Sequence, residues 1–240
     1  MQADIPRTTA ALRALKGMQK EALLQGSLQH PNVLGLVGAV QQGHAFAGFI
    51  MPFCQGGSLE TALRELSTSN TSLPLPQRVR VALLAARGLS YLHQRSIIHL
   101  DLKADNIFLE GPLLTSNGAD VDEAVGVKIA DFGLSTTLQP GQTSVAVNQG
   151  RGTDSHMAPE VRRGGNVSTS ADIWSFGVLL WELVHQRPPG PDDSTGSNRV
   201  PIVPPDCQAA WAVIMKKCLR IRASERPDAS QLVQELQQLL

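Results

Sequence analysis

The chain has 240 residues, 42% of them hydrophobic, with 21 basic residues balanced by 21 acidic ones. That is enough apolar material for a sizeable core in one or two domains, and a zero formal charge without a long Lys/Arg run argues against nucleic acid or an anionic membrane as principal partner. Cys54, Cys207 and Cys218 are odd in number, widely spaced and outside CxxC or Cys/His patterns, which argues against a disulfide scaffold and fits free thiols in a reducing, cytoplasmic compartment.

No apolar h-region follows Met1, so no secretory signal is expected from this start. From Thr8 to Leu28, apolar residues at Leu12, Leu15, Met18, Ala22, Leu23 and Leu28 follow helical spacing. His30, Pro31 and Asn32 break that helix, and VLGLVGAV and HAFAGFIMPF carry apolar runs of strand length. Gln55, Gly56 and Gly57 form a turn, and Ser58 is placed to cap a helix running through Leu66. Between Pro76 and His93, Val79, Leu83, Ala86, Leu89 and Leu92 share one face of a long, half-buried helix. Two short strands follow, Ile107 to Leu109 and Val125 to Ile129. The polar loop between them, with Asp120, Asp122 and Glu123, reads as a solvated hairpin tip and not as a metal site. After Asp131 the pattern is irregular through Gly150, a loop long enough to be functional. A buried helix is expected from Ala171 to Val184, interrupted by Ser175 and Glu182 and too short to span a membrane. A Pro-rich stretch from Arg187 to Asp206 then leads to helices at Ala209 to Leu219 and Asp228 to Leu240, the last with a capping box of Asp228 and Gln231.

The chemistry concentrates in His99 to Leu109, HLDLKADNIFL, and in Asp131-Phe132-Gly133 after the next strand. Phosphoryl transfer needs a group to orient the attacking hydroxyl, a cation beside the transferred phosphate and oxygen ligands for magnesium. Asp101, Lys103, Asn106 and Asp131 can supply all of these.

In this order, HLDLKADN, DFG, Met157-Ala158-Pro159-Glu160 and Asp172-Ile173-Trp174-Ser175-Phe176-Gly177 resemble the catalytic core of a eukaryotic-type protein kinase. The resemblance implies an α+β, two-lobe fold in one kinase domain over residues 1–240. Residues 1–53 would be a partial N-terminal β lobe, and 54–240 a mainly helical C-terminal lobe. It implies ATP and Mg2+ as cofactors, with Asp101 as catalytic base, Lys103 on the transferring phosphate, and Asn106 and Asp131 on magnesium. Met51, Phe53 and Cys54 resemble the hinge whose backbone meets adenine, with Met51 as gatekeeper, and Phe108 would be the floor under the purine. Glu160 and Arg226, in RASERPD, resemble the ion pair that pins the activation segment. Asp172 would accept backbone N–H bonds from the loop that opens at His99, a simple N-cap being the alternative. Lys103 and Gly152-Thr153 resemble serine/threonine-specific kinases, and LQHPNVLGLVGAV, QGGSLETAL and DIWSFGVLLWEL resemble the tyrosine-kinase-like branch. Protein substrates are the implied partners; the resemblance leaves oligomeric state open.

The chain departs from that pattern in three places. Glu21 stands at the spacing of the helix-C glutamate, yet MQADIPRTTAALRALKGMQK holds neither a VAIK-type lysine strand nor a GxGxxG loop, so the first three strands are expected to be missing. Leu100 replaces the arginine that reads a phosphorylated activation loop, so phosphorylation at Thr143 or Ser144 is not expected to act by that route. Gln25 falls where a large apolar side chain is usual. An active serine/threonine kinase is the first reading, a pseudokinase or signalling scaffold the second, and a small-molecule phosphotransferase the third.

Overall fold

The structure, a computed structural model, describes residues 18–19, 21–42, 45–113, 125–205 and 207–240. Helix α1 covers 18–19 and 21–26; the expected helical residues from Thr8 to 17 lie outside the described residues. Strands β1 (Gly38–Gln42) and β2 (Ala45–Ile50) pair antiparallel with an irregularity between Val40 and Gln41. The first expected strand begins only at Gly38. Val33 bridges Ile129 instead, and Leu34 N donates to Ile129 O at 2.8 Å, so residues 32–34 run along a strand of the helical lobe.

Helix α2 (Leu59–Thr68) starts at Ser58, whose hydroxyl accepts from Thr61 N, and it buries Leu59 and Leu63. Helix α3 (Leu75–Gln94) has Pro76 in its first turn, where no N–H is needed, and buries ten of its 20 residues. It is the spine of the core. At Gly88 an added Cβ would lie 2.4 Å from Asn32 O, so the absence of a side chain lets the 30–34 segment lie directly on α3. His30 stacks on Tyr91 with centroids 4.8 Å apart, and Tyr91 Oη accepts from Gln29 N.

Strand β3 (Ile97–Ile98) precedes the loop that opens at His99; β4 (Ile107–Leu109) follows it and pairs antiparallel with β5 (Val127–Ile129). The expected hairpin tip, with Asp120, Asp122 and Glu123, lies outside the described residues. The segment after Asp131 is more ordered than its composition implies. Strand β6 (Thr136–Thr137) pairs with β3, and β7 (Val145–Val147) pairs with β8 (Gly165–Val167). These pairings are long-range and too short to leave a periodic signature. Helix α4 (Pro159–Arg163), only five residues, escaped the sequence pattern for the same reason.

Helix α5 (Ser170–His185) is buried over thirteen residues, including Trp174 and Trp181. A short hairpin, β9 (Ser194–Thr195) with β10 (Val200–Pro201), leads to α6 (Ala209–Cys218) and α7 (Ala229–Gln237). The expected capping box is present: Asp228 Oδ1 accepts from Gln231 N, and Gln231 Oε1 from Asp228 N, both at 2.8 Å. Each fully buried Leu, Ile or Phe side chain in this core contributes about 1.5–3 kcal/mol. Mixed strands with a mainly helical lobe match the expected α+β architecture.

Candidate active site

The loop that opens at His99 is fixed from beneath by one buried carboxylate. Asp172 on α5, fully buried, accepts His99 N on Oδ2 and Leu100 N on Oδ1, each at 2.8 Å, and contacts His93 Nε2 at 2.8 Å. The N-cap alternative fails, because Thr169 occupies that position and Asp172 is the third residue of the helix, within its first turn. Such bonds hold a loop whose residue Leu100 has a left-handed φ of 67°, strained for a residue with a Cβ. The Leu100 side chain is buried in the main core and carries no donor for a phosphate.

Asp101, Lys103, Asn106 and Thr153 converge. Asp101 Oδ1 accepts Thr153 N at 2.9 Å and Thr153 Oγ1 at 2.7 Å. Lys103 Nζ lies 3.3 Å from Asp101 Oδ2 and donates to Thr153 Oγ1 at 2.9 Å. Asn106 Nδ2 donates to Asp101 O at 2.8 Å and to Asp101 Oδ2 at 3.0 Å. Burial by itself would push the Asp101 carboxyl up. The Thr153 hydroxyl bond, the Lys103 charge and the Thr153 amide together outweigh it and hold the group below its ordinary value. Thr153 reaches Asp101 because Gly152 has φ 116° and a Cβ there would lie 2.6 Å from Leu100 O.

Asp131, Phe132 and Gly133 follow β5 after Ala130. Phe132 is buried edge-on to His99, with centroids 5.3 Å apart, and His99 Nε2 lies 3.0 Å from Ala130 O. Asp131 is exposed in a left-handed turn, φ 63°, and accepts Gly133 N on Oδ1. Asn106 spends its amide nitrogen on Asp101, which leaves its amide oxygen, and that oxygen and the Asp131 carboxylate are hard donors of the kind magnesium takes. The residues fit that ion.

Glu21 on α1 lies at the same place: its Oε2 is 3.6 Å from where a Gly133 Cβ would be. Burial and then the Asp131 charge raise its pKa, and among the described residues it forms no ion pair. At the expected hinge, Met51 is 43% and Phe53 88% exposed, whereas Cys54 is buried. Phe108 packs on Leu34, Cys54 and Ala130, an apolar patch suited to a purine floor. The outlying pair is also formed: Arg226 Nη1 and Nη2 donate to Glu160 Oε1 and Oε2 at 2.6 and 2.9 Å.

Two groups of contacts escaped the sequence reading. Gln25, marked only as a mismatch, is buried and donates to Leu34 O at 2.9 Å and Met51 Sδ at 3.3 Å, tying α1 to Leu34 and Met51. Ser175 and Glu182, noticed only as interruptions of an apolar helix, both contact His156. Their spacing of two helical turns was the available signal, since it puts both on one face.

A family model described as protein tyrosine and serine/threonine kinase matches residues 6–236. A probable serine/threonine-protein kinase of Dictyostelium discoideum is 33% identical over 220 residues, which is 91% of this chain and 20% of that protein. Mitogen-activated protein kinase kinase kinase 12 of Rattus norvegicus is 35% identical over 217 residues, 87% of this chain and 22% of that protein. Mitogen-activated protein kinase kinase kinase 10 of Mus musculus is 32% identical over 231 residues, 92% and 23% respectively. The chain belongs to the protein tyrosine and serine/threonine kinase family. It spans about a fifth of the length of these curated relatives.

Proposed function

We propose that the chain is the catalytic core of a protein serine/threonine kinase of intracellular signalling, acting on hydroxyls of protein substrates. The observation that carries the reading is the Asp101 carboxylate, kept ionised and gripped by Lys103, Asn106 and Thr153. An ionised carboxylate can orient a serine or threonine hydroxyl and accept its proton. Lys103, 3.3 Å away, would balance charge on the transferred phosphoryl group. Asn106 and Asp131 would hold magnesium, the backbone of 51–54 would receive adenine, and Phe108 would lie beneath it. Bound Mg-ATP supplies the phosphoryl group and the cation that spreads its negative charge. Serine/threonine specificity is supported by Lys103 and by Thr153 on the catalytic carboxylate, and by the printed names of the relatives. Among the described residues no helix is long and apolar enough to cross a membrane.

A pseudokinase or scaffold is the second reading. It is favoured by Glu21, whose carboxylate faces Asp131 without a cation between them among the described residues. The test is magnesium-dependent transfer from labelled ATP to a generic Ser/Thr protein substrate, with Asp101→Asn as control. Transfer abolished by Asp101→Asn supports the kinase reading; ATP binding without transfer above that control supports the scaffold.

A further inference from the structure

Beside the Asp101 cluster lies a second ionisable pair, buried on both sides. The side chains of His156 and Glu182 are 3% and 2% exposed, with Nε2 and Oε2 3.1 Å apart. The two atoms are in contact, but among the described residues Nε2 makes no well-aligned hydrogen bond. The same Glu182 oxygen accepts Ala104 N at 2.9 Å. Ser175 Oγ, two turns earlier on α5, donates to His156 O at 2.8 Å, and Ser155 Oγ lies 3.0 Å from His156 Nδ1.

These contacts close a ring. Ala104 directly follows Lys103, and Lys103 Nζ donates to Thr153 Oγ1 at 2.9 Å. Thr153 starts the 3-10 turn that ends at His156, whose N donates to Thr153 O at 2.9 Å. One arm runs from Glu182 through Ala104 to Lys103, the other from Glu182 through His156 to Thr153. Both end on Asp101. The common anchor is a carboxylate on a helix that buries its own Trp174, Phe176 and Trp181 in the core, which gives it little freedom to move.

We infer that His156 and Glu182 are a positioning pair, setting the separation of Lys103 and Thr153 and so the geometry at Asp101, without touching substrate. The inference rests on the kinase reading of that site. A buried carboxylate that loses one partner must find another or drag its remaining partner, here Ala104 N, with it. Small displacements of positioned catalytic groups are costly in rate, on the order of 10- to 100-fold.

The test uses the full chain with His156→Phe, which keeps ring volume but removes both nitrogens, His156→Gln, which restores a donor, and Glu182→Gln. Expected for His156→Phe is a kcat on the order of 10- to 100-fold lower with KM for ATP within about twofold of wild type, recovered mostly by His156→Gln. The His156→Phe/Glu182→Gln double variant should be far less impaired than the product of the singles. Equal impairment of the Phe and Gln variants, independent effects in the double variant, or a lowered Tm with intact kcat would each overturn the inference. If His156→Phe does not fold, the comparison of His156→Gln with Glu182→Gln decides by the same kcat-to-KM split. Should wild type transfer no more phosphate than Asp101→Asn, the kinase reading fails by itself. Amide exchange at Ala104 and Thr153 then decides the pair: protection lost in His156→Phe and regained in His156→Gln supports it, and unchanged protection overturns it.

Discussion

Replacing Arg226 with alanine tests how the segment around Glu160 is anchored. Its side chain is fully buried and uses all five N–H donors: two on Glu160, and one each on Arg220 O at 2.8 Å, Ser170 O at 2.7 Å and Ile221 O at 3.2 Å. The guanidinium also lies over the Trp174 ring, 5.2 Å from its centroid. The alanine variant leaves the Glu160 carboxylate and three carbonyls without these donors. Removing one partner of a buried ion pair costs about 3–5 kcal/mol. Glu160 is 17% exposed, so water can reach part of it, which argues for the lower end; the orphaned carbonyls argue for the upper. At about 2–4 °C per kcal/mol for a domain of this size, Tm should fall by about 6–20 °C. Limited proteolysis should cut earliest between residues 157 and 169, the stretch that α4 and the Glu160 contact hold down. Thermal melts of wild type, Arg226→Ala and Arg226→Ala/Glu160→Gln measure the effect, and the double variant should recover part of the loss. A Tm within about 2 °C of wild type and an unchanged cleavage pattern would refute the argument from donor loss.

Gly152→Ala places a Cβ 2.6 Å from Leu100 O at a φ of 116°, and should push Thr153 off Asp101. Steady-state kinetics should show kcat lower on the order of 10- to 100-fold; a kcat within twofold of wild type would show that Thr153 is not held through Gly152. Glu21→Gln carries a pH signature. Burial and then Asp131 raise the Glu21 pKa above its ordinary 4.5, so the folded protein binds this proton more tightly than the unfolded chain. The ionised carboxylate therefore costs stability at neutral pH, and the cost vanishes as pH falls below the unfolded value. Glu21→Gln should raise Tm at pH 7 to 8, with the gain disappearing toward pH 4. Melts across that range showing a constant or opposite difference would contradict the placement of Glu21 against Asp131.

Much of the site is legible in the sequence because its chemistry is local. Asp101, Lys103 and Asn106 lie within six residues, and the strand before Asp131 pairs with the strand after Asn106, which carries the two motifs toward one another. The Ser58 cap and the Asp228–Gln231 box are local too, since each closes within one turn. Glu160 and Arg226, 66 residues apart, were readable only through the family resemblance.

What the tertiary structure alone decided involves residues whose types are unremarkable and whose partners are far away. Glu182 reads as an interruption in an apolar helix until the fold brings Ala104 and His156 to it, 78 and 26 positions earlier. Gln25 reads as a mismatch until Leu34 O and Met51 Sδ take its amide N–H bonds. The pairing of β7 with β8 turned part of an apparently irregular loop into a strand, because a three-residue pairing gains its stability from the partner and leaves no period in the chain. The sequence thus determined the family, the core-facing helices and the candidate reacting groups, through contiguous motifs and helical periodicity. Only the fold decided which buried polar groups hold those reacting groups in place, because a burial penalty is met by partners that sequence distance does not reveal.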